Sequence, residues 1–290
     1  MFKGSIVAIV TPFNEDFSVN YSKLEELLNW HVNSGTDGIV ILGTTGEAPT
    51  LTKDEKLEVF RFTVEVINGR IPVIAGTGSN NTMETIEFSR QVETLGVDGL
   101  LVVTPYYNKA NDQGFITHFT MIADSVTTPI IVYNVPGRTG CNLPVHVVKT
   151  ISEHKNIVAL KEASGDISYF AKVASVVSKD FLLFSGNDDL VVPTLSLGGT
   201  GVISVAANVI PKEFHQMVAD WHNGETKKAM DAQLHYLELI NNLFIETNPI
   251  PVKDMLNKMG KEVGGFRLPL CAPSVPVEKV LIEMVSKYNL

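Results

Sequence analysis

Short apolar runs bounded by glycine, proline, asparagine or threonine recur along the first two-thirds of the chain. Runs of this kind are typical of strands that are buried on both faces. The eight predicted strands are Ile6–Val10, Gly38–Leu42, Val73–Ala75, Gly99–Val103, Ile130–Tyr133, Ile157–Leu160, Leu182–Phe184 and Val202–Val205. They begin roughly every 20 to 35 residues, which is the spacing of repeated strand–helix units.

Segments with helical periodicity lie between these runs. Ser22–Glu25 and Thr52–Glu55 both have the spacing of a capping box, which predicts that a helix begins at each. Further helices are predicted at 81–95, 112–125, 143–153, 167–178, 188–197 and 211–223. This alternation predicts an α/β fold, a (β/α)8 TIM barrel over residues 1–224. A doubly wound open sheet is the alternative, but no glycine-rich dinucleotide fingerprint follows the first run.

Residues 225–290 have helical periodicity without a strand pattern, and we expect a C-terminal helical extension. Two apolar helix faces are predicted there: Met230, Leu234, Leu237, Ile240 and Phe244 form one, and Val277, Val280, Leu281, Met284 and Val285 form the other. Prolines and glycines between the two faces, beginning with Pro249 and Pro251, are predicted to break the chain.

Composition narrows the class of protein. The 290 residues are 44% hydrophobic and 19% charged, with a net charge of −9, which suits a large core but not nucleic-acid binding. The first residues lack the apolar segment of a signal peptide, and every apolar run is too short to span a bilayer. Cys141 and Cys271 lie far apart, as expected in a reducing compartment. We therefore expect a cytoplasmic protein that binds neither nucleic acid nor membrane.

Lys161 directly follows the apolar run Ile157–Leu160. Burial lowers the pKa of a lysine, and a neutral amine attacks carbonyl carbons to form Schiff bases. The alternative is that Lys161 pairs with Glu162 or extends to water. From this stretch alone the ion pair is the simpler interpretation, so the choice between the two depends on the residues at the ends of the other strands.

Catalytic groups of barrels lie at the carboxyl ends of the strands. Thr44 and Thr45 offer hydroxyl and backbone N–H groups to a small carboxylate, and Arg138 could clamp a second one. Tyr133 and Tyr107 could move protons through a chain of hydroxyls. Each of these residues could instead be structural: the two threonines as part of a turn, Arg138 as a solvated side chain, and the two tyrosines as packed aromatic rings.

Several chemistries are disfavoured. The histidines form no metal-binding motif, and no serine lies in a G-x-S-x-G sequence. What remains is carbon–carbon chemistry through a Schiff base on a small keto acid. We therefore expect neither a metal nor a cofactor.

Five segments resemble motifs of the dihydrodipicolinate synthase (4-hydroxy-tetrahydrodipicolinate synthase) family of pyruvate-dependent class I aldolases: Gly43–Glu47, Tyr133–Thr139, Lys161–Gly165, Gly201–Ser204 and Asn248–Lys253. The resemblance covers the whole chain, including the extension. It implies the condensation of pyruvate with L-aspartate 4-semialdehyde, on the route to diaminopimelate and lysine.

The resemblance also implies catalytic roles. Lys161 matches the lysine that forms a covalent Schiff base with pyruvate. Thr44, Tyr133 and Tyr107 match a proton relay in which Tyr107 is donated by a neighbouring subunit. The family resemblance therefore implies self-association, usually as a homotetramer built from two tight dimers.

Further positions match the family's substrate-binding groups. Thr45 matches the site of the pyruvate carboxylate, with backbone contacts from Gly186 and Ile203, and Arg138 matches the clamp on the semialdehyde carboxylate. The sister enzyme N-acetylneuraminate lyase, or another sugar-acid aldolase, is the alternative, but the lyase pattern lacks an arginine in this loop. A catalytically inactive barrel that only binds ligands would not be expected to keep these groups together.

One departure from the family concerns regulation. In lysine-inhibited members, histidines stand at the positions of Lys53 and Lys56, whereas Asn80, Glu84 and Tyr106 are retained. Two added cations repel a cationic effector, so we expect weak or absent feedback by lysine.

Overall fold

The computed structural model describes residues 2–290, and its centre is a closed barrel of eight parallel strands in chain order. The strands are β1 (Gly4–Ala8), β2 (Gly38–Ile41), β3 (Val73–Gly76), β4 (Gly99–Val103), β5 (Ile130–Asn134), β6 (Ile157–Glu162), β7 (Leu182–Ser185) and β8 (Gly201–Ser204). Closure is direct, because Ile6 of β1 lies opposite Gly38 of β2 on one side and Ile203 of β8 on the other. The predicted TIM barrel is confirmed.

Thirteen helices are assigned within residues 2–290. Those of the barrel are α1 (Tyr21–Asn33), α2 (Lys53–Ile67), α3 (Thr82–Glu93), α4 (Asp112–Ser125), α5 (Pro136–Thr139), α6 (Val145–Ser152), α7 (Ile167–Ala174), α8 (Val191–Ser196) and α9 (Pro211–His222). The extension contains α10 (Thr226–His235), α11 (Leu237–Asn242), α12 (Ile250–Lys258) and α13 (Val275–Tyr288). None of these helices combines the length and the apolar character needed to cross a membrane. The division at residues 224/225 stays a prediction.

Strand β6 is longer than its apolar run. The ladder to β5 continues beyond Leu160, pairing Tyr133 with Lys161 and Asn134 with Glu162. The expectation that Lys161 follows the strand was therefore wrong, because backbone pairing extends past the last apolar residue. The backbone pairing of β6 with β5, and not a turn, therefore sets the position of Lys161.

The interior and exterior of the barrel have separate apolar clusters. Ala159 of β6 packs among the residues inside the barrel, whereas Leu160 packs against the surrounding helices. Successive side chains of a strand point to opposite faces. Lys161 therefore points into the barrel and Glu162 points out of it.

The start of α1 differs from the predicted capping box at Ser22. Asn20 is the N-cap, and its side chain accepts a hydrogen bond from the backbone N–H of Lys23 at 2.9 Å. The capping box predicted at Thr52 is present: its hydroxyl accepts from the N–H of Glu55, whose carboxylate accepts from the N–H of Thr52. Both residue types favour N-caps, so spacing alone could not choose between Asn20 and Ser22.

The first apolar face predicted in the extension does not form. The helical segment divides at Tyr236 into α10 and α11, which changes the direction of the second part. Met230, Leu234 and Phe244 are consequently exposed, and Ile240 is buried. The second predicted face is present, with Val277, Leu281 and Met284 buried along α13.

Helix α12 lies where prolines were expected to break the chain. Pro249 is its N-cap and Pro251 is in its first turn, where a backbone N–H has no helical partner to lose. Two prolines in close succession therefore mark the beginning of a helix here. This helix carries Lys253 into the protein interior, at 0% exposure.

Arg267 joins the segment after α12 to the barrel. Its guanidinium donates to Glu55 of α2 through two N–H groups, Nη2 to Oε1 at 2.6 Å and Nη1 to Oε2 at 2.8 Å. It also donates to the backbone carbonyls of Phe17 and Thr50. The hydrogen bonds from the Arg267 guanidinium, opposed by burial and assisted by the Thr52 N–H and the charge of Arg267, hold the pKa of Glu55 at about 2, below its usual 4.5.

We predict that Glu55→Gln lowers stability at neutral pH by roughly 1–2 kcal/mol, because a two-fold charge-assisted contact becomes a neutral one. Since the pKa of Glu55 is depressed in the folded state, this stabilisation is fully present above about pH 4.5 and is lost as the pH falls toward 2. Urea unfolding of both proteins across this range measures the difference. Glu58→Gln, which removes an exposed pair with Arg61, is the control. A stability difference that stays constant as the pH falls would contradict the assignment.

Candidate active site

Lys161 and Tyr133 are neighbours on adjacent strands at the carboxyl end of the barrel. The register places them opposite each other, and the Lys161 Nζ lies 4.3 Å from the centre of the Tyr133 ring. Both side chains are almost fully buried, at 5% and 7% exposure. A primary amine and a phenol therefore share one secluded pocket, which is what imine chemistry with proton transfer requires.

Gly186 provides the space that the Lys161 side chain occupies. A Cβ atom at this position would lie 2.6 Å from the Cβ of Ala163 and 3.1 Å from the Cε of Lys161. A side chain here would therefore clash with Ala163 and crowd the Lys161 side chain. Ile203 lies fully buried among the interior residues of the barrel, on β8.

Asp188 is a buried acid near the lysine that the sequence did not single out. Its Oδ2 accepts hydrogen bonds from the N–H groups of Val205 and Ala206, at 2.9 and 2.8 Å. Its Oδ1 is also buried. Burial raises the pKa of Asp188 to about 6, opposed by hydrogen bonds from Ala206, Ser204 and Val205 and by the charge of Lys161. A carboxyl group that titrates near neutrality can exchange protons with other groups of the site.

Thr44 and Thr45 lie on a 3₁₀ turn directly after β2. Thr44 is half-buried and Thr45 is buried, at 2% exposure. The Thr45 hydroxyl oxygen accepts a hydrogen bond from Asn248 Nδ2 at 3.1 Å. Because the oxygen is the acceptor in this contact, the hydroxyl hydrogen of Thr45 is free to be donated to a carboxylate.

Arg138 lies on the one-turn helix α5, which follows β5. Its Nη2 donates to the backbone carbonyl of Asn248 at 2.9 Å, which orients an otherwise exposed side chain. Asn248 therefore contacts both Thr45 and Arg138, and it brings together the two groups that were expected to bind carboxylates. The sequence motif contained Asn248, but the side chain was given no role.

Tyr107 lies apart from this pocket in the single chain. It follows β4 and is 91% exposed, with a backbone φ of 71°. A left-handed φ is unusual for a bulky residue and stores strain that other interactions must offset. A tyrosine in this position is available to a second molecule.

Glu162 is not the partner of Lys161. On the outer face, its Oε2 accepts from Asn134 Nδ2 at 2.7 Å and its Oε1 accepts from the N–H of Ser164 at 2.5 Å. Burial raises the pKa of this carboxyl, and the hydrogen bonds from Asn134 and Ser164 oppose the rise. The ion pair between neighbours that the sequence offered as an alternative is therefore wrong.

The five residues of the possible effector site lie on α2, α3 and the loops beside them. Asn80 Nδ2 donates to the backbone carbonyl of Tyr106 at 3.1 Å, which places the loops after β3 and β4 side by side. Burial lowers the pKa of Lys56, whereas the nearby charge of Glu84 raises it. Lys53 lies half-exposed on the same helix as Lys56. The carboxylate of Glu84 thus already interacts with a cation.

Comparison with known proteins identifies the family. The model of the dihydrodipicolinate synthetase family matches residues 1–286. The chain belongs to this family. The 4-hydroxy-tetrahydrodipicolinate synthase of Clostridium novyi (strain NT) is 53% identical over 289 residues, covering 100% of this chain and 97% of that protein.

Solved structures of family members agree with the fold. The dihydrodipicolinate synthase of Aquifex aeolicus is 43% identical, with a TM-score of 0.97 and coverage of 100% and 99% of the two chains. The chloride-inhibited enzyme of Acinetobacter baumannii, complexed with pyruvate, is 40% identical, with a TM-score of 0.97 and the same coverage. The family therefore shares the barrel and the extension over essentially the full chain.

Proposed function

We propose that this chain is a 4-hydroxy-tetrahydrodipicolinate synthase, which condenses pyruvate with L-aspartate 4-semialdehyde and so serves the formation of diaminopimelate and lysine. The observation that carries the proposal is the buried amine of Lys161 beside the Tyr133 phenol, in a chain whose relatives bear this name. The family match favours this activity over the cleavage of sugar acids.

The chemistry begins at Lys161. In its unprotonated form, this amine attacks the keto carbon of pyruvate, and loss of water gives an iminium. The positive nitrogen acidifies the methyl group, which loses a proton to become an enamine carbon. That carbon forms a bond to the aldehyde carbon of the semialdehyde, whose oxygen takes up a proton. Attack of the semialdehyde's amino group on the imine carbon closes the ring and releases Lys161. No cofactor is needed for these steps.

The other groups bind and move protons. The hydroxyl of Thr45 and the backbone of its turn receive the pyruvate carboxylate, with Gly186 and Ile203 lining the same pocket. Arg138 receives the carboxylate of the semialdehyde through a two-pronged contact. The hydroxyls of Thr44 and Tyr133 form the relay that carries protons to and from the imine.

Tyr107 completes the relay from a neighbouring subunit, within a homotetramer composed of two dimers. Its 91% exposure and left-handed backbone support this part of the proposal, because they keep the phenol at the surface of its own chain. The site is then incomplete in an isolated subunit.

We predict that borohydride added with pyruvate modifies Lys161 covalently, because it reduces the iminium to a stable amine. Mass spectrometry of the intact protein and its peptides measures the adduct. Borohydride without pyruvate is the control and should leave Lys161 unchanged. If Lys161→Ala still acquires the pyruvate adduct, the assignment fails. Turnover of pyruvate with aspartate semialdehyde, compared with cleavage of N-acetylneuraminate, tests the substrates.

We predict that Lys161→Ala and Tyr107→Phe complement each other in mixed oligomers. Each variant alone should have little activity, but a mixed dimer has one site with Lys161 from one subunit and Tyr107 from the other. Co-expression with two affinity tags isolates the mixed species for assay. Activity no higher than the sum of the separate variants would contradict donation of Tyr107 between subunits.

We predict that lysine inhibits this enzyme weakly or not at all. Lys56 adds positive charge beside Glu84, and Lys53 adds a second cation on the same helix, where it pairs with Glu87. Both charges repel a cationic effector. Initial rates at millimolar lysine measure the effect. The double variant Lys53→His with Lys56→His is the matched comparison and should become more sensitive. Near-complete inhibition of the unaltered protein at millimolar lysine would refute the prediction.

A further inference from the structure

Glu47 and Lys253 form a fully buried ion pair below the substrate-binding groups. The Lys253 Nζ lies 2.7 Å from Glu47 Oε1, and both side chains have 0% exposure. The same ammonium donates to the backbone carbonyl of Gly265 at 2.6 Å and lies 4.3 Å from the centre of the Phe13 ring. The second carboxylate oxygen of Glu47 accepts the backbone N–H of Arg267 at 3.3 Å.

The two ends of this pair belong to the two segments that carry the carboxylate-binding groups. Glu47 directly follows the turn that contains Thr45, and its φ of 54° ends that turn in a left-handed conformation. Lys253 lies in the first half of α12, which begins just after Asn248. Asn248 in turn contacts Thr45 with its side chain and Arg138 with its carbonyl. The ion pair therefore joins the two segments close to the contact between Thr45 and Asn248.

Stability alone is a poor explanation for this pair. Removing two charges from water is costly, and well-packed apolar side chains often serve as well or better. Burial lowers the pKa of Lys253, which the nearby Glu47 opposes, so the ammonium depends on its partner. An ion pair with directed hydrogen bonds provides one defined geometry, whereas an apolar contact does not.

We propose that Glu47 and Lys253 are positioning residues for the condensation, holding Thr45, Asn248 and Arg138 at the spacing at which both substrate carboxylates bind. This inference rests on the proposed function. Neither residue touches a substrate or the Lys161 amine. Their effect is on substrate binding, transmitted through the turn after β2 and the start of α12.

Steady-state kinetics of Glu47→Asp and of the double variant Glu47→Gln with Lys253→Met tests the inference. Glu47→Asp keeps the charge but withdraws the carboxylate by one methylene, about 1.5 Å. The double variant leaves no unpaired charge inside the protein, so it should recover thermal stability relative to either single change. We expect KM for pyruvate and for the semialdehyde to rise at least about tenfold in both, with kcat reduced by less than about threefold.

Glu278→Gln is the matched control, because it removes the ion pair that joins α13 to Lys258 at the far end of α12, and Glu278 has no hydrogen bond to Glu47, Thr45 or Asn248. It should lower the unfolding temperature and leave both KM values unchanged. If KM in the double variant returns to the unaltered value together with stability, or if Glu278→Gln raises KM equally, the pair is only structural and the inference is overturned. Absence of condensation by the unaltered protein would instead reject the proposed function.

Discussion

The alternation of side chains along a closed parallel barrel is the constraint on which the site depends. Neighbouring side chains of a strand point to opposite faces, so the Lys161 side chain lies inside the barrel and the Glu162 side chain lies on its outer face. A shift of one residue would exchange them and place a carboxylate where the amine must react. The hydrogen bond between Asn134 and Glu162 opposes this shift, since it joins the two strands on the outer face at the same level.

The sequence predicted the features that local patterns determine. Eight apolar runs and the helical segments between them were enough for the barrel, whereas Lys161 suggested a Schiff base only together with the residues at the other strand ends and the family resemblance. The point at which a strand ends was harder to predict, because the backbone pairing of β6 continues beyond its apolar residues. The residue types suggested possible roles for Thr44, Tyr107 and Arg138, and the family resemblance then specified them, including the donation of Tyr107 by a neighbouring subunit.

Some features required the three-dimensional structure. Asp188 and Asp189 look alike in the sequence, yet the first is buried and the second is exposed. Asn248 acts through its carbonyl as much as its amide, and a backbone atom has no signature in a sequence. The sequence predicts breaks at the prolines near α12, because it does not show whether a proline begins a helix or interrupts one. Met230 and Leu234 were misplaced because the turn at Tyr236 carries no strong sequence signal.

The contact between Thr45 and Asn248 joins residues 203 positions apart, and that between Glu47 and Lys253 joins residues 206 apart. During synthesis from the amino terminus, the barrel strands and Lys161 are therefore made well before the partners of Thr45 exist. Contacts of such separation also carry a large loop-closure entropy and form slowly. The barrel strands can hence form before the groups proposed to bind the substrate carboxylates are held together. Within the chain, the proposed site is assembled only when the final quarter of the sequence folds back.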